Sequence, residues 1–552
     1  MKLFLLILFS ISACASEPLR AKHGMVVSSH ALASQVGVET MRSGGNAIDA
    51  AVATGLALAV VHPSAGNIGG GGFMVVFMKS GEVTTFDFRE KAPLAAREVM
   101  FTGSGKTNHH EGYQSVGVPG TIAGFDLALK RFGTKSWHDL AAPAIKLADD
   151  GFQLSPPLAR AIANLKPDWQ KYPASAKAFL RLHGSTYNHG EIWKQPDLAK
   201  ILRRIAHEGR AGFYSGETAR AIAADMRAHH GLITEADLAA YQARERQPIH
   251  GSYRGFDIYS MPPPSSGGVA LVEMFNILEP SDLKSLGQNS APYLHLLAES
   301  MRRAFADRAE FLGDPDFNAN MPIAMLTSNQ HAAALRRTID PNHASASDAK
   351  NFAEAYESAE TTHYSVIDSE GNAVVVTYTL EYSFGSRIVA DGLGFLYNNE
   401  MGDFNPEPGH TDEAGLIGTP PNLVAPGKRM LSSMSPTIVV KNGKPVLLIG
   451  SPGGRTIINT VLQVTLNVLD HQMNIADAVA APRIHHQWLP NQIQIEAGKF
   501  SSETTNRLHQ IGHQISEVNR IGEAMAIAID PKTHERLGAA DPRSPDGKAI
   551  GY

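Results

Sequence analysis

A chain of 552 residues, 43% hydrophobic and 19% charged, has an ordinary globular composition and the length for a large core or several domains. That composition excludes a disordered or collagen-like polymer, and a net charge of −5 argues against nucleic acid as a main partner. With one cysteine, Cys14, no intramolecular disulfide can form.

Met1 to Ala15 reads as a targeting segment, residues 1–15. Lys2 supplies a positive start and Leu3 to Phe9 an apolar run too short to span a bilayer. The chain is therefore expected to be exported, to a periplasm in a bacterium. Two processing readings stand side by side. Ala13-Cys14-Ala15 fits ordinary signal cleavage, leaving Ser16 first. Ile11-Ser12-Ala13-Cys14 resembles a bacterial lipobox, in which Cys14 carries lipid and anchors the protein to the outer membrane.

Ala31 to Arg42 reads as a helix stopped by Ser43-Gly44-Gly45. Asn46 caps a second helix, Ala47 to Val61, with Asp49 in its first turn. Its length suits a buried core helix rather than a membrane span. The glycine run Asn67-Ile68-Gly69-Gly70-Gly71-Gly72-Phe73 lacks the Lys-Ser/Thr of a phosphate loop and precedes a strand, so close backbone packing is expected. Phe73 to Met78 and Val83 to Phe88 form a hairpin that delivers Arg89. From Val118 to about Asp340 helices dominate, among them Gly120 to Phe132, Leu158 to Leu165 and Pro292 to Phe311. They show no catalytic cluster. Met261 to Gly268 is a rigid Pro-rich loop, read as structural or as lining a channel. Pro341 to Glu360 is a polar connector that includes a helix-like piece, Ala346 to Ala359.

The connector ends in Glu360-Thr361-Thr362-His363-Tyr364-Ser365, which opens a hairpin around Ser369-Glu370-Gly371-Asn372, with Ala373 to Leu380 returning. A hydroxyl is a weak nucleophile without a base. Cutting the Glu360–Thr361 bond gives Thr361 a free amine, with a pKa near ~8, beside its own Oγ. The same Oγ can make that cut by attacking the preceding carbonyl and letting the ester hydrolyse. Further on, Met434 to Val440 and Pro445 to Ile449 form another hairpin. Gly450 to Gly454 then turns into a helix, Arg455 to Leu469. Paired glycines at a helix start aim backbone N–H groups outward with the helix dipole behind them, which is an oxyanion hole in physical terms. Ala524 to Ile529 and Leu537 to Ala540 read as the last hairpin. The adjacent pairs His109-His110, His229-His230 and His485-His486 do not have ligand spacing, so neither a metal nor any other cofactor is expected.

Taken together, Thr361-Thr362-His363-Tyr364-Ser365, Thr377-Tyr378-Thr379-Leu380, Asn398-Asn399-Glu400-Met401-Gly402-Asp403-Phe404, Leu431-Ser432-Ser433-Met434 and Gly450-Ser451-Pro452-Gly453-Gly454 resemble the γ-glutamyltranspeptidases, the bacterial glutathione hydrolases. The resemblance runs from about Ala21 to Tyr552, with the motifs in family order. It implies an α+β fold of the N-terminal-nucleophile hydrolase type, a four-layer αββα sandwich. One compact unit would be made of a large subunit, 16–360, and a small subunit, 361–552.

It also implies site roles. Thr361 is the nucleophile and Thr379 orients it; Gly453 and Gly454 form the oxyanion hole. Arg89, Ser432 and Ser433 meet the substrate α-carboxylate, while Glu400 and Asp403 meet the α-ammonium. Partners would be glutathione and other γ-glutamyl compounds, with water, an amino acid or a dipeptide as acceptor. Glu381 stands where many members have asparagine. Three carboxylates, Glu381, Glu400 and Asp403, would then crowd one ammonium and raise a carboxyl pKa. Ala414, in the lid-like segment Pro406 to Pro426, replaces an aromatic residue of some members, which would favour hydrolysis over transfer. Two rivals remain. A glutaryl-type acylase of the same fold would not need Glu400 or Asp403. A non-catalytic surface binding protein would stay uncleaved.

Overall fold

The computed structural model describes residues 17–102, 109–347, 361–411 and 417–552. Cys14 and the targeting segment, Glu360, most of the helix-like piece before it, and Ala414 lie outside the described residues.

Before the connector the chain contributes β1 (Leu19–Ala21), β2 (Met25–Ser28), β3 (Gly71–Phe77), β4 (Val83–Phe88), β5 (Arg244–Arg246), β6 (Ile249–Tyr253) and β7 (Phe256–Ser260). After it come β8 (Thr362–Ile367), β9 (Ala373–Thr379), β10 (Thr437–Lys441), β11 (Lys444–Ile449), β12 (Met525–Ile529), β13 (Arg536–Ala540) and β14 (Lys548–Gly551). They build two seven-stranded sheets, in the orders β14-β2-β8-β9-β3-β4-β5 and β1-β13-β12-β11-β10-β7-β6. Strands from either side of residue 360 are interleaved in both. The expected final hairpin, β12–β13, is present, but it does not end the chain. β14 follows and crosses to the other sheet to pair with β2.

The helices that matter for the site are α1 (Ala31–Arg42), α2 (Ala47–Val61), α3 (Thr121–Phe132), α4 (Gly267–Leu278), α5 (Ala291–Phe311), α6 (Asn329–Arg336) and α7 (Thr456–Leu469). α2 is buried along its whole length. Asn46 and Asp49 close a reciprocal capping box at its start, so the orphan amides of the first turn are satisfied inside the core. Asp49 also accepts the amides of Thr134 and Lys135, which ties the end of α3 to α2. No described helix is long and apolar enough to cross a membrane.

The layering follows from strand alternation. On β8 and β9, Tyr364, Val366, Val374, Val376 and Tyr378 face α2 and α3. Ile367, Ala373 and Val375 face the other sheet, where they meet Ile438, Val440, Leu448 and Ile527. The outer face of that second sheet, with Val439, Leu447 and Ile449, is covered by α4, α5 and α7. Both faces of β9 are therefore buried, which is why it reads as an unbroken apolar run. The order of layers is helix, sheet, sheet, helix.

Candidate active site

The same alternation aims the first residues of β8. With Thr362 opposite Tyr378, one further step puts Thr361 opposite Thr379. Thr361 Oγ donates to Thr379 Oγ at 3.5 Å, and Thr379 Oγ in turn accepts the Glu381 N–H at 2.8 Å. Asn67 Nδ2 donates to the Thr379 carbonyl at 2.8 Å. This is the close packing expected of the glycine run. A Cβ on Gly70 would lie 2.0 Å from that carbonyl.

Two residues along, His363 points to the same side as Thr361. Its Nδ1 meets Thr377 Oγ at 2.8 Å and its Nε2 meets Ser365 Oγ at 3.2 Å. Burial lowers its pKa to about 3, so the ring is neutral. The ring packs against Gly450, where a Cβ would come within 2.3 Å of it. Gly450 opens the loop that carries Gly453 and Gly454, so His363 joins β8 to that loop. Gly453 and Gly454 have φ of 132° and 55°, conformations that favour glycine. Among the described residues neither amide donates within the protein. α7 starts one residue later than expected, at Thr456, whose N–H and Oγ both bond the Gly453 carbonyl.

At the far end of the pocket Arg89 is fully buried. It donates to Glu400 through Nη1 and to Asp403 through Nη2, and its Nε reaches the Met430 carbonyl at 3.3 Å. Burial disfavours its charge, but Glu400, Asp403 and Glu90 more than offset this and hold it ionised. Glu90 was not read from the sequence as a site residue. It is fully buried, 3.6 Å from Arg89, and desolvation pushes its pKa up to about 7. Glu400 is likewise raised well above the ordinary carboxylate range by burial.

Glu381 lines the same pocket as Glu400 and Asp403, and it has further neighbours there. Asn399 Nδ2 donates to Glu381, and His110 Nδ1 lies 3.3 Å from its other oxygen. His110 is stacked on Tyr382 with ring centroids 4.7 Å apart. Glu381 thus has Asn399 and His110 beside it, and Glu400, one of the three carboxyls expected to crowd, is raised.

Ser432 and Ser433 are held by the loop that was read as structural or channel-lining. Ser432 N–H donates to the Pro264 carbonyl, and Ser266 N–H and Oγ both donate to the Ser432 carbonyl. Arg308 of α5 donates from Nε to Ser266 Oγ at 2.9 Å and from Nη2 to Ser433 Oγ at 3.0 Å. The loop is a brace for the serines, and Arg308 reaches the site from a helix that showed no catalytic pattern.

A pocket of about 280 Å³ is lined by Thr361, Thr379, Gly454, Arg89, Glu381, Glu400, Asp403, Ser432 and Ser433, together with Met434 and Ile457. Of the candidate residues within the described range, Gly453 alone does not line it. A strand-leading threonine between two facing sheets, under an αββα cover, defines the class: an N-terminal-nucleophile hydrolase.

The comparisons narrow this. The family model for gamma-glutamyltranspeptidase matches residues 33–552, and the chain belongs to that family. It is 47% identical over 542 residues to a glutathione hydrolase proenzyme of Escherichia coli K12, covering 97% of this chain and 93% of that protein. It is 37% identical to an acylase ACY 1 proenzyme of Pseudomonas sp. SE83, covering 94% and 92%. Among solved structures, the cephalosporin acylase from Bacillus halodurans superposes with a TM-score of 0.86 at 28% identity, over 100% of this chain and 99% of that one. Helicobacter pylori gamma-glutamyltranspeptidase superposes with a TM-score of 0.57 at 43% identity, over 60% of this chain and 94% of that one.

Proposed function

We propose that the protein is a self-processing γ-glutamyltransferase and glutathione hydrolase. In the precursor, Thr361 Oγ attacks the Glu360 carbonyl. The peptide C–N bond breaks as the proton passes to the departing Thr361 amine, and water hydrolyses the ester. The new amine is then the base for its own hydroxyl. Thr361 Oγ attacks the γ-carbonyl of the substrate, and the Gly453 and Gly454 amides hold the oxyanion. The amine product leaves with the proton. Water or the amine of an amino acid or dipeptide then attacks the γ-glutamyl ester and frees Thr361.

One observation carries this reading. The pocket has a nucleophile at one end and, at the other, a buried guanidinium flanked by two carboxylates and two serines. A zwitterionic head group needs both signs of partner in one place. A glutaryl chain lacks the ammonium that Glu400 and Asp403 would meet, which sets the acylase reading second. The short apolar start with Cys14 supports export, with either a free or a lipid-anchored mature protein.

The test has two arms. N-terminal sequencing of purified protein is expected to find one fragment starting at Thr361 and another at Cys14 or Ser16. Hydrolysis of a γ-glutamyl anilide is expected to exceed that of the glutaryl anilide in kcat/KM. A single unbroken chain, or a preference for the glutaryl compound, overturns the proposal.

A further inference from the structure

Away from the pocket, three helices bring together Glu273 of α4, Asp307 of α5 and His331 of α6. One ligand atom from each lies within 4.8 Å of the other two. His331 Nε2 and Asp307 Oδ2 are 2.6 Å apart. Glu273 is only 1% exposed; its carboxyl hydrogen-bonds to that of Asp307, and its Oε1 has no other partner among the described residues. Among the described residues, neither Glu273 nor Asp307 is paired with a lysine or arginine. The nearby Arg303 is committed elsewhere, to Glu299 and Thr338.

A fully buried carboxyl beside a second, partly exposed carboxylate is unstable in the charged form unless it keeps a proton or a positive ion is supplied. We propose that Glu273, Asp307 and His331 form a binding site for one first-row divalent cation of the Zn2+ type. Two carboxylates cancel its charge, so the occupied site is neutral in a low-dielectric setting. An imidazole beside two carboxylate oxygens suits a borderline ion and not the all-oxygen shell that Mg2+ or Ca2+ prefers. The side chains of Asp307 and His331 are 15% and 18% exposed, which leaves an entry side where water completes the coordination. On binding, the cation displaces the proton shared within the cluster and the His331–Asp307 hydrogen bond opens.

A second cluster shows what such a site should not look like. His295, Glu299 and His513 are as close together, but Glu299 is already matched by Arg302 and Arg303. His295 uses one ring nitrogen on His513 and the other on the Asp340 carbonyl. The Glu273 site also has a place in the architecture. It ties α4, α5 and α6 together one residue from Arg308, the side chain that holds Ser433 and Ser266.

The test uses untagged, processed enzyme, stripped with a chelator, dialysed and titrated with ZnCl2 by calorimetry. One tight equivalent with proton release is expected, together with a rise in Tm. Glu273→Gln and Asp307→Asn keep side-chain shape and are expected to lose that equivalent while remaining processed and folded. No tight equivalent in the wild-type protein overturns the proposal. So does a tight equivalent that both variants retain, because the zinc is then held elsewhere.

Discussion

Thr361 and Thr379 face each other one step beyond the last paired residues of β8 and β9, with their hydroxyl oxygens 3.5 Å apart. The contact is a cross-strand pair, so hairpin register sets it and no loop has to find it. The Glu381 N–H fixes Thr379 from behind. The Thr361 hydroxyl is thus oriented before any substrate arrives.

Thr361→Ala is expected to remain a single chain on a denaturing gel and to have no transferase activity, because the proposed cleavage and acylation both use the same Oγ. Thr379→Ala is expected to process slowly and to lose about tenfold to a hundredfold in kcat, the worth of one orienting hydrogen bond to a reacting oxygen. Gel densitometry over time and steady-state kinetics measure both. A Thr361→Ala protein that still yields a fragment starting at residue 361 would refute the self-cleavage step.

Gly453→Ala is expected to fold and to lose about 10²–10³ in kcat, as when an oxyanion donor is removed. Its φ of 132° is strained for an L side chain, and the new Cβ would sit 2.4 Å from Thr456 Oγ1. The shift turns the amide away from the carbonyl oxygen. An unchanged kcat would mean that this amide does not touch the oxyanion.

Arg89→Lys is expected to raise KM for a γ-glutamyl anilide by about tenfold to a hundredfold, since a point charge cannot reach two carboxylates and a carbonyl as the guanidinium fork does. It is also expected to lower Tm, because one of Glu400 and Asp403 loses its buried partner. A KM equal to wild type would remove Arg89 from substrate binding.

Glu90 gives a prediction with a definite sign. Its pKa rises from the 4.5 of a free carboxyl to about 7 in the fold, chiefly through desolvation. Between those values the folded protein holds a proton that the unfolded chain releases. Stability is therefore lost as pH rises through that window, and the full cost stands above pH 7. Glu90→Gln, which cannot ionise, is expected to match wild type near pH 4.5 and to exceed it above pH 7 in Tm. Melting curves across pH decide this, and parallel profiles for the two proteins would contradict the assignment.

Arg308→Met is expected to raise KM about tenfold with kcat nearly unchanged, because Ser433 and Ser266 lose a shared donor while Thr361 is untouched. Kinetics with processed enzyme provide the check. A fall in kcat at constant KM would place Arg308 in the chemical step instead.

What the sequence determined alone was local and periodic. Asn46 and Asp49 at the head of an apolar run fix α2, because capping acts within four residues. The turn at Ser369–Asn372 sets the β8–β9 register, and that register brings Thr361 to Thr379 across 18 positions of chain. The motifs around Thr361, Glu400, Ser432 and Gly453 were visible because each packs its chemistry into a few consecutive residues. Tertiary structure alone decided which charges meet. Glu90 is exceptional only because the fold buries it beside Arg89, and Arg308 matters only because α5 crosses behind Ser433. Glu381 meets His110 only because the fold brings a distant loop next to it. Burial and long-range pairing depend on how the layers stack, and no short window of sequence encodes that distance.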